Sequence, residues 1–119
     1  MKAGIKKLIE GGQAFFVTTH IDPDGDAIGS VFAFAHALKA FGKDVTVYLK
    51  DTIPYRYDFL PKPDLLVHAV PDKRYDAVFV LDCGSFFRVG DGNEKIAVMG
   101  PVVNIDHHDT NDRFGQINL

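Results

Sequence analysis

The stretch "AFFVTTHIDPDGDAIGSVFAFAHALKAFGKDVTVYL" (residues 14–49) decides the fold, because it reads as strand, turn, helix and second strand in that order. "AFFVTTH" at 14–20 is almost wholly apolar, aromatic or β-branched, the pattern of a strand buried on both faces. "AIGSVFAFAHALKAFG" at 27–42 predicts a helix in which Ile28, Val31, Phe32, Ala35, Leu38 and Phe41 share an apolar stripe and Gly42 ends the run. "DVTVYL" at 44–49 is the next strand. Between strand and helix, Asp22, Asp24 and Asp26 follow directly behind His20. Asp26 precedes the helix, where an aspartate is a common N-cap, and Gly25 suits a turn. Read alone, "DPDGD" serves a capped turn as readily as a binding site.

Outward from this unit, residues 3–10 predict a short amphipathic helix closed by Gly11 and Gly12. A helical turn is expected between the prolines of "PYRYDFLP" at 54–61, and a short strand in "DLLVHAV" at 64–70. "DAVFVLD" at 76–82 and "PVVNID" at 101–106 are clear strands, with a partly helical crossover between them, and "FGQINL" at 114–119 opens another. Strand, helix, strand at this spacing predicts an α/β fold: a three-layer, Rossmann-like, doubly wound parallel sheet with helices on both faces and right-handed crossovers.

The chain has 119 residues, which suits one domain, and we find no linker, internal repeat or low-complexity segment in it. Hydrophobic residues make up 46% and charged residues 24%, a globular rather than a disordered balance. A net charge of −3 argues against a broad basic surface for duplex DNA, though not against a short nucleotide in a local pocket. Cys83 is the only cysteine, which rules out an internal disulfide and makes a cytoplasmic setting the expectation. We read no signal peptide and no stretch long enough to span a bilayer.

Parallel sheets of this kind bind ligands outside the carboxyl ends of their strands. That is where the unusual side chains fall. One strand ends in His20 followed by the aspartates, another in Asp82, and a third in Asp106, His107 and His108. If the strands are parallel, all three groups share one edge. Asp82 directly follows the apolar "AVFVL", where a bare carboxylate is costly unless paired or metal-bound. Clustered carboxylates with imidazoles suit Mn²⁺, Mg²⁺, Co²⁺ or Fe²⁺ better than a thiolate zinc site. An EF-hand loop starting at Asp22 fails, because its sixth and twelfth positions are Ala27 and Ala33 rather than glycine and glutamate. "GDAIG" matches neither dinucleotide nor P-loop patterns.

With these residues in place, the sequence resembles the DHH phosphoesterases, named for an Asp-His-His motif, in the branch holding oligoribonuclease and pAp-phosphatase proteins. "HIDPDGDAIGS" at 20–30 is similar to their first motif, "VLDCG" at 80–84 to the second and "NIDHHDTN" at 104–111 to the third. The resemblance implies two divalent ions, Mn²⁺ first, with Mg²⁺ and Co²⁺ as alternatives. His20, Asp24 and Asp82 would hold one ion; Asp26, Asp82 and His107 would hold the other. His108 would meet the phosphate or the leaving group, and Asp106 would orient the histidine pair, so that Asp82, Asp106 and His108 form the catalytic set. Asp22 falls outside this set, as do His36 and His68, which are expected to be structural or exposed, while Gly29 and Ser30 are expected to support the turn.

The same resemblance implies that residues 1–119 correspond to the N-terminal part of such a domain. A fourth metal-binding aspartate and a C-terminal substrate-binding domain would lie outside them, and Asp112 comes too soon after the histidines to replace that aspartate. The expected activity is hydrolysis of short oligonucleotides or 3′-phosphoadenosine 5′-phosphate, weak or absent in this chain alone. Within the family, exopolyphosphatase, pyrophosphatase and cyclic dinucleotide phosphodiesterase are the alternatives. A catalytically silent metal- or nucleotide-binding module is the alternative of another kind. Apolar surface at the C-terminal edge is expected to favour self-association or a homodimer, with no membrane partner.

Overall fold

A computed structural model describes residues 1–119. Six strands form one sheet: β1 (Ala14–Thr18), β2 (Asp44–Tyr48), β3 (Leu66–Val67), β4 (Ala77–Leu81), β5 (Val102–Ile105) and β6 (Ile117–Asn118). Their order across the sheet is β3-β2-β1-β4-β5-β6, and every neighbouring pair is parallel. This is the strand order of the Rossmann arrangement, so the expected fold class holds.

Alternation along the strands explains why they read as unbroken apolar runs. Phe15 and Val17 of β1 and Phe79 and Leu81 of β4 face α1 (Lys2–Gly11) and α2 (Gly25–Ala40), with Ile5, Ile28, Val31, Phe32, Ala35 and Leu38 closing that layer. Phe16, Val78, Val80 and Val102 face the other way, onto Val89, Ile96 and Met99 from a 3-10 turn (Phe86–Val89) and the short helix α3 (Asn93–Ala97). Both faces of the sheet are therefore covered, and each strand must be apolar throughout. A second 3-10 turn occupies Tyr55–Tyr57, between the prolines where one was expected.

Two features of α2 differ from the sequence reading. The cap falls on Asp24, whose Oδ1 accepts the Ala27 N–H at 2.9 Å, so the helix starts at Gly25 and Asp26 lies in its first turn. A capping carboxylate reaches the N–H three residues on, and at Asp24 that donor is the orphan at Ala27. Phe41, expected on the buried stripe, is 74% exposed because the helix closes at Ala40 and Gly42 turns the chain with φ +79°. The remaining stripe residues are all buried.

Three strands end earlier than their apolar runs suggest, at Thr18, Leu81 and Ile105. In each case the residues that leave the ladder are the polar ones at the carboxyl edge. No helix is long and apolar enough to cross a membrane. Beside α1 and α2, an apolar groove of about 670 Å³ is lined by Ile5, Ile9, Phe34, Phe41, Ile105 and Leu119, with Lys2, Lys6 and Lys43 along it.

Candidate metal centre

Register places the unusual side chains in one row. Thr18 pairs with Val80, and Leu81 pairs with Ile105. Two residues beyond the first pair stand His20 and Asp82, and one beyond the second stand Asp82 and Asp106. The start of α2 adds Asp24, its cap, and Asp26, from its first turn, at the same edge. The donor atoms of His20, Asp24 and Asp82 all lie within 4.8 Å of one another, as do those of Asp82, Asp106, His107 and His108. Asp82 belongs to both clusters.

The backbone turns at Asp82. Its φ of +53° is left-handed, a conformation that aspartate tolerates better than most residues. Its N–H still donates to the Ile105 carbonyl at 2.9 Å, which fixes the residue against β5. Only 6% of Asp82 is exposed. Burial pushes its carboxyl above the usual aspartate range, the nearby Asp26 and Asp24 charges push it further, and a hydrogen bond from His107 pulls it partly back. The fold thus pays to keep negative charge here.

The imidazoles are oriented so as to answer that charge. His20 Nδ1 donates to the Ile21 carbonyl at 2.6 Å, so in the neutral ring Nε2 carries a lone pair. That lone pair faces Asp82 Oδ2 at 3.9 Å, two acceptors with nothing positive between them. His107 Nε2 lies 3.0 Å from Asp82 Oδ1 and 3.1 Å from Asp26 Oδ2, so a single proton there bridges two carboxylates. Both arrangements fit divalent cations, which would replace the proton at His107 and fill the gap at His20. The chemistry of the donor set, oxygen with nitrogen and no thiolate, suits two such ions.

Asp106 sits differently. Its Oδ1 accepts His108 Nδ1–H at 2.6 Å and its Oδ2 accepts Asn111 Nδ2 at 2.7 Å. Burial raises the Asp106 carboxyl, but the hydrogen bonds from Asn111 and His108 outweigh it and hold the group below the usual range. The same bond to Asp106, with its charge, raises His108 above the ordinary histidine value. His108 therefore keeps its proton further toward neutral pH, and its side chain is 49% exposed.

Beneath this pair is a network that sequence reasoning missed. Asn104 is buried in β5 and donates to the Val80 and Cys83 carbonyls at 3.1 and 3.0 Å, while Asn111 donates to Asn104 Oδ1 at 2.7 Å. The signal was legible in "PVVNID": an amide inside a buried apolar strand must find partners. Asp112 accepts the Ser85 hydroxyl and its N–H donates to the Gly84 carbonyl, tying down the turn after Asp82. Burial pushes the Cys83 thiol up to about 11, so it is inert at neutral pH.

The other residues named from sequence lie apart from both clusters. Asp22, at φ +51°, donates its N–H to Asp51 and forms part of a turn. His36 bonds the Pro61 carbonyl and His68 the Leu49 carbonyl. Ser30 donates to Asp26 Oδ1 at 3.3 Å, and Gly29 lies one residue before it in α2.

Comparison with known proteins agrees with this geometry. The family model described as "DHH family, N-terminal domain" matches residues 14–118. The chain is 40% identical over 118 residues to a protein of Thermus thermophilus named bifunctional oligoribonuclease and PAP phosphatase NrnA, covering 98% of this chain and 34% of that protein. It superposes with a TM-score of 0.88, at 26% identity, on the crystal structure of an exopolyphosphatase-related protein from Bacteroides fragilis, over 98% of this chain and 37% of that one. The chain thus spans about a third of the length of either protein.

Proposed function

Since the chain belongs to the DHH family and matches its N-terminal domain over residues 14–118, we propose that it carries the metal-binding half of a phosphoesterase site acting on short oligonucleotides or 3′-phosphoadenosine 5′-phosphate. The observation that carries this reading is the buried Asp82 carboxylate shared by two donor clusters. The name of the 40% identical relative supports the substrate class.

His20, Asp24 and Asp82 would hold one ion, and Asp26, Asp82 and His107 the other, with Mn²⁺ the first candidate. Two such ions, when bound, supply a lowered pKa for attacking water and charge stabilisation at the phosphorus. The remaining work belongs to the chain. Asp82 keeps the two donor sets in a fixed relation through its backbone bond to Ile105. Asp106 accepts from His108 Nδ1 and so fixes the ring, leaving Nε2 for the substrate. His108, whose affinity for a proton is raised by that contact, can donate to the departing oxygen when protonated. Asn111 and Asn104 hold Asp106 in place.

The fourth metal-binding aspartate and a substrate-binding domain would come from chain beyond these residues, so turnover by residues 1–119 is expected to be weak. The likeness to an exopolyphosphatase-related structure favours phosphoanhydrides as a second substrate class. The lysine-edged apolar groove supports self-association, and a strictly monomeric chain in sedimentation would overturn that part.

Calorimetric titration of Mn²⁺ into the chain and into Asp82→Ala tests the reading, with hydrolysis of a dinucleotide, 3′-phosphoadenosine 5′-phosphate and a short polyphosphate assayed alongside. Binding that disappears with Asp82, and hydrolysis at least a hundredfold lower, are the expected results. Unchanged Mn²⁺ binding or normal turnover by Asp82→Ala would overturn it.

A further inference from the structure

We propose that Arg88, with Thr110, forms an anion subsite that grips a phosphate group of the substrate beside the metal cluster. This rests on the phosphoesterase reading and extends it to residues outside the metal-binding set. A cleft of about 290 Å³ opens at the His20, Asp24 and Asp82 cluster, and its other wall carries Arg88 and Thr110. That volume is near the lower limit for small-molecule pockets, which suits a phosphate and its attached sugar better than a whole dinucleotide.

Arg88 is held by its backbone and free at its side chain. Its carbonyl accepts the Ile21 N–H at 2.7 Å, which ties it to the loop after His20. Its own N–H donates to the Ser85 carbonyl at 3.0 Å, and the next residue, Val89, is buried in the core. The preceding turn is braced by Phe86, whose ring stacks on Phe114 at 5.0 Å. Yet the guanidinium joins no ion pair: those of the metal cluster involve His20, His107 or His108, and the nearby Asp91 is taken by Lys50. An arginine that lines a cleft holding Asp24 and Asp82, and pairs with neither, is free to take an anionic partner.

The chemistry of that partner follows from charge and shape. Once cations neutralise Asp24 and Asp82, Arg88 remains as a fixed positive group, and its planar fork of donors matches two phosphate oxygens at once. The exposed Thr110 hydroxyl, on the same wall of the cleft, adds a third donor or an acceptor for a sugar hydroxyl. Ser85 lines the same cleft, but its hydroxyl is already donated to Asp112. The ligand class is therefore a phosphate monoester or the terminal phosphate of a short oligonucleotide.

The test is titration of inorganic phosphate into the Mn²⁺-saturated 119-residue chain and into Arg88→Gln, Arg88→Lys and Thr110→Val. Arg88→Gln is expected to weaken phosphate at least tenfold and Arg88→Lys to recover part of it, with Mn²⁺ affinity and Tm unchanged. Phosphate binding that survives Arg88→Gln undiminished, or a Mn²⁺-loaded parent that binds no phosphate, overturns the proposal. The same pair of titrations is run without metal in an Asp82→Asn background, where one carboxylate charge is already removed. If the parent takes no Mn²⁺, the metal reading fails separately. Arg88-dependent phosphate binding in that background then still upholds the subsite, and its absence overturns it.

Discussion

Asp82 is where the interests of stability and of chemistry separate. Its carboxyl is raised by burial and by Asp26, so the metal-free fold is penalised whenever Asp82 is ionised. That penalty is absent at low pH and sets in as pH rises from the ordinary aspartate value through the raised one. Asp82→Asn removes the charge, keeps the shape and suits the left-handed backbone. We expect it to stabilise the metal-free chain by about 1 kcal/mol, a few degrees in Tm, while abolishing Mn²⁺ binding. Thermal melts and calorimetry on one sample would check both, and a destabilised Asp82→Asn chain would refute the first. Asp76 behaves in the opposite sense. Its Oδ2 accepts the Ala14 and Gln13 N–H groups at 2.9 and 2.7 Å, and these bonds lower its pKa. Its contribution is present above the ordinary value of 3.8 and is lost as pH falls through the lower folded value. Asp76→Asn should flatten the acid limb of the stability curve and cost no more than about 1 kcal/mol at neutral pH, since the group is exposed.

At the scale of elements, α2 begins on a residue with two employments. Asp24 caps the helix and also belongs to the His20 and Asp82 cluster. Asn caps about as well as Asp but lacks the charge. Asp24→Asn should therefore hold stability within about 0.5 kcal/mol and still weaken Mn²⁺ more than tenfold, whereas Asp24→Ala should lose about 1 kcal/mol as well. Equal Mn²⁺ affinity in Asp24→Asn and parent would remove Asp24 from the site. This double role is also why the sequence misled on the cap. Three aspartates at alternate positions each look able to start a helix, and only the geometry of the Ala27 N–H selects one. Element types and order were legible because both-face burial writes itself as continuous apolar runs, as in "AFFVT" and "AVFVL". Their ends were less so, since Thr19, His20, Asp82 and Asp106 continue the strand in sequence while leaving the ladder in space.

Across the whole molecule, a cation bound only by the folded chain should stabilise it by mass action, about 2.7 kcal/mol at a hundredfold excess over Kd. Melting with Mn²⁺ and then with excess chelator would show the gain and its reversal, and a Tm indifferent to both would count against a native-state site. The shared edge of the strands was foreseeable, because a parallel sheet sends every carboxyl end the same way. The support was only half legible: buried Asn104 announced a need for partners, but its partners Val80, Cys83 and Asn111 appear only once β4 and β5 are paired. Arg88 acquires meaning only when the turn after β4 is placed against the loop after β1. That placement has a kinetic side. β1 and β4 are neighbours in the sheet although the Asp76 carboxylate that pins the start of β1 lies 62 residues from Ala14, and Asp82 lies 25 from His107. Loops of that length close late, after the local turn and helix have formed. A site assembled from three such strands does not exist in early collapsed states, so the ion meets it only near the end of folding. In a chevron experiment Mn²⁺ should slow the unfolding limb and leave the refolding limb almost untouched. The metal would act as a latch on the finished sheet rather than as a template for building it.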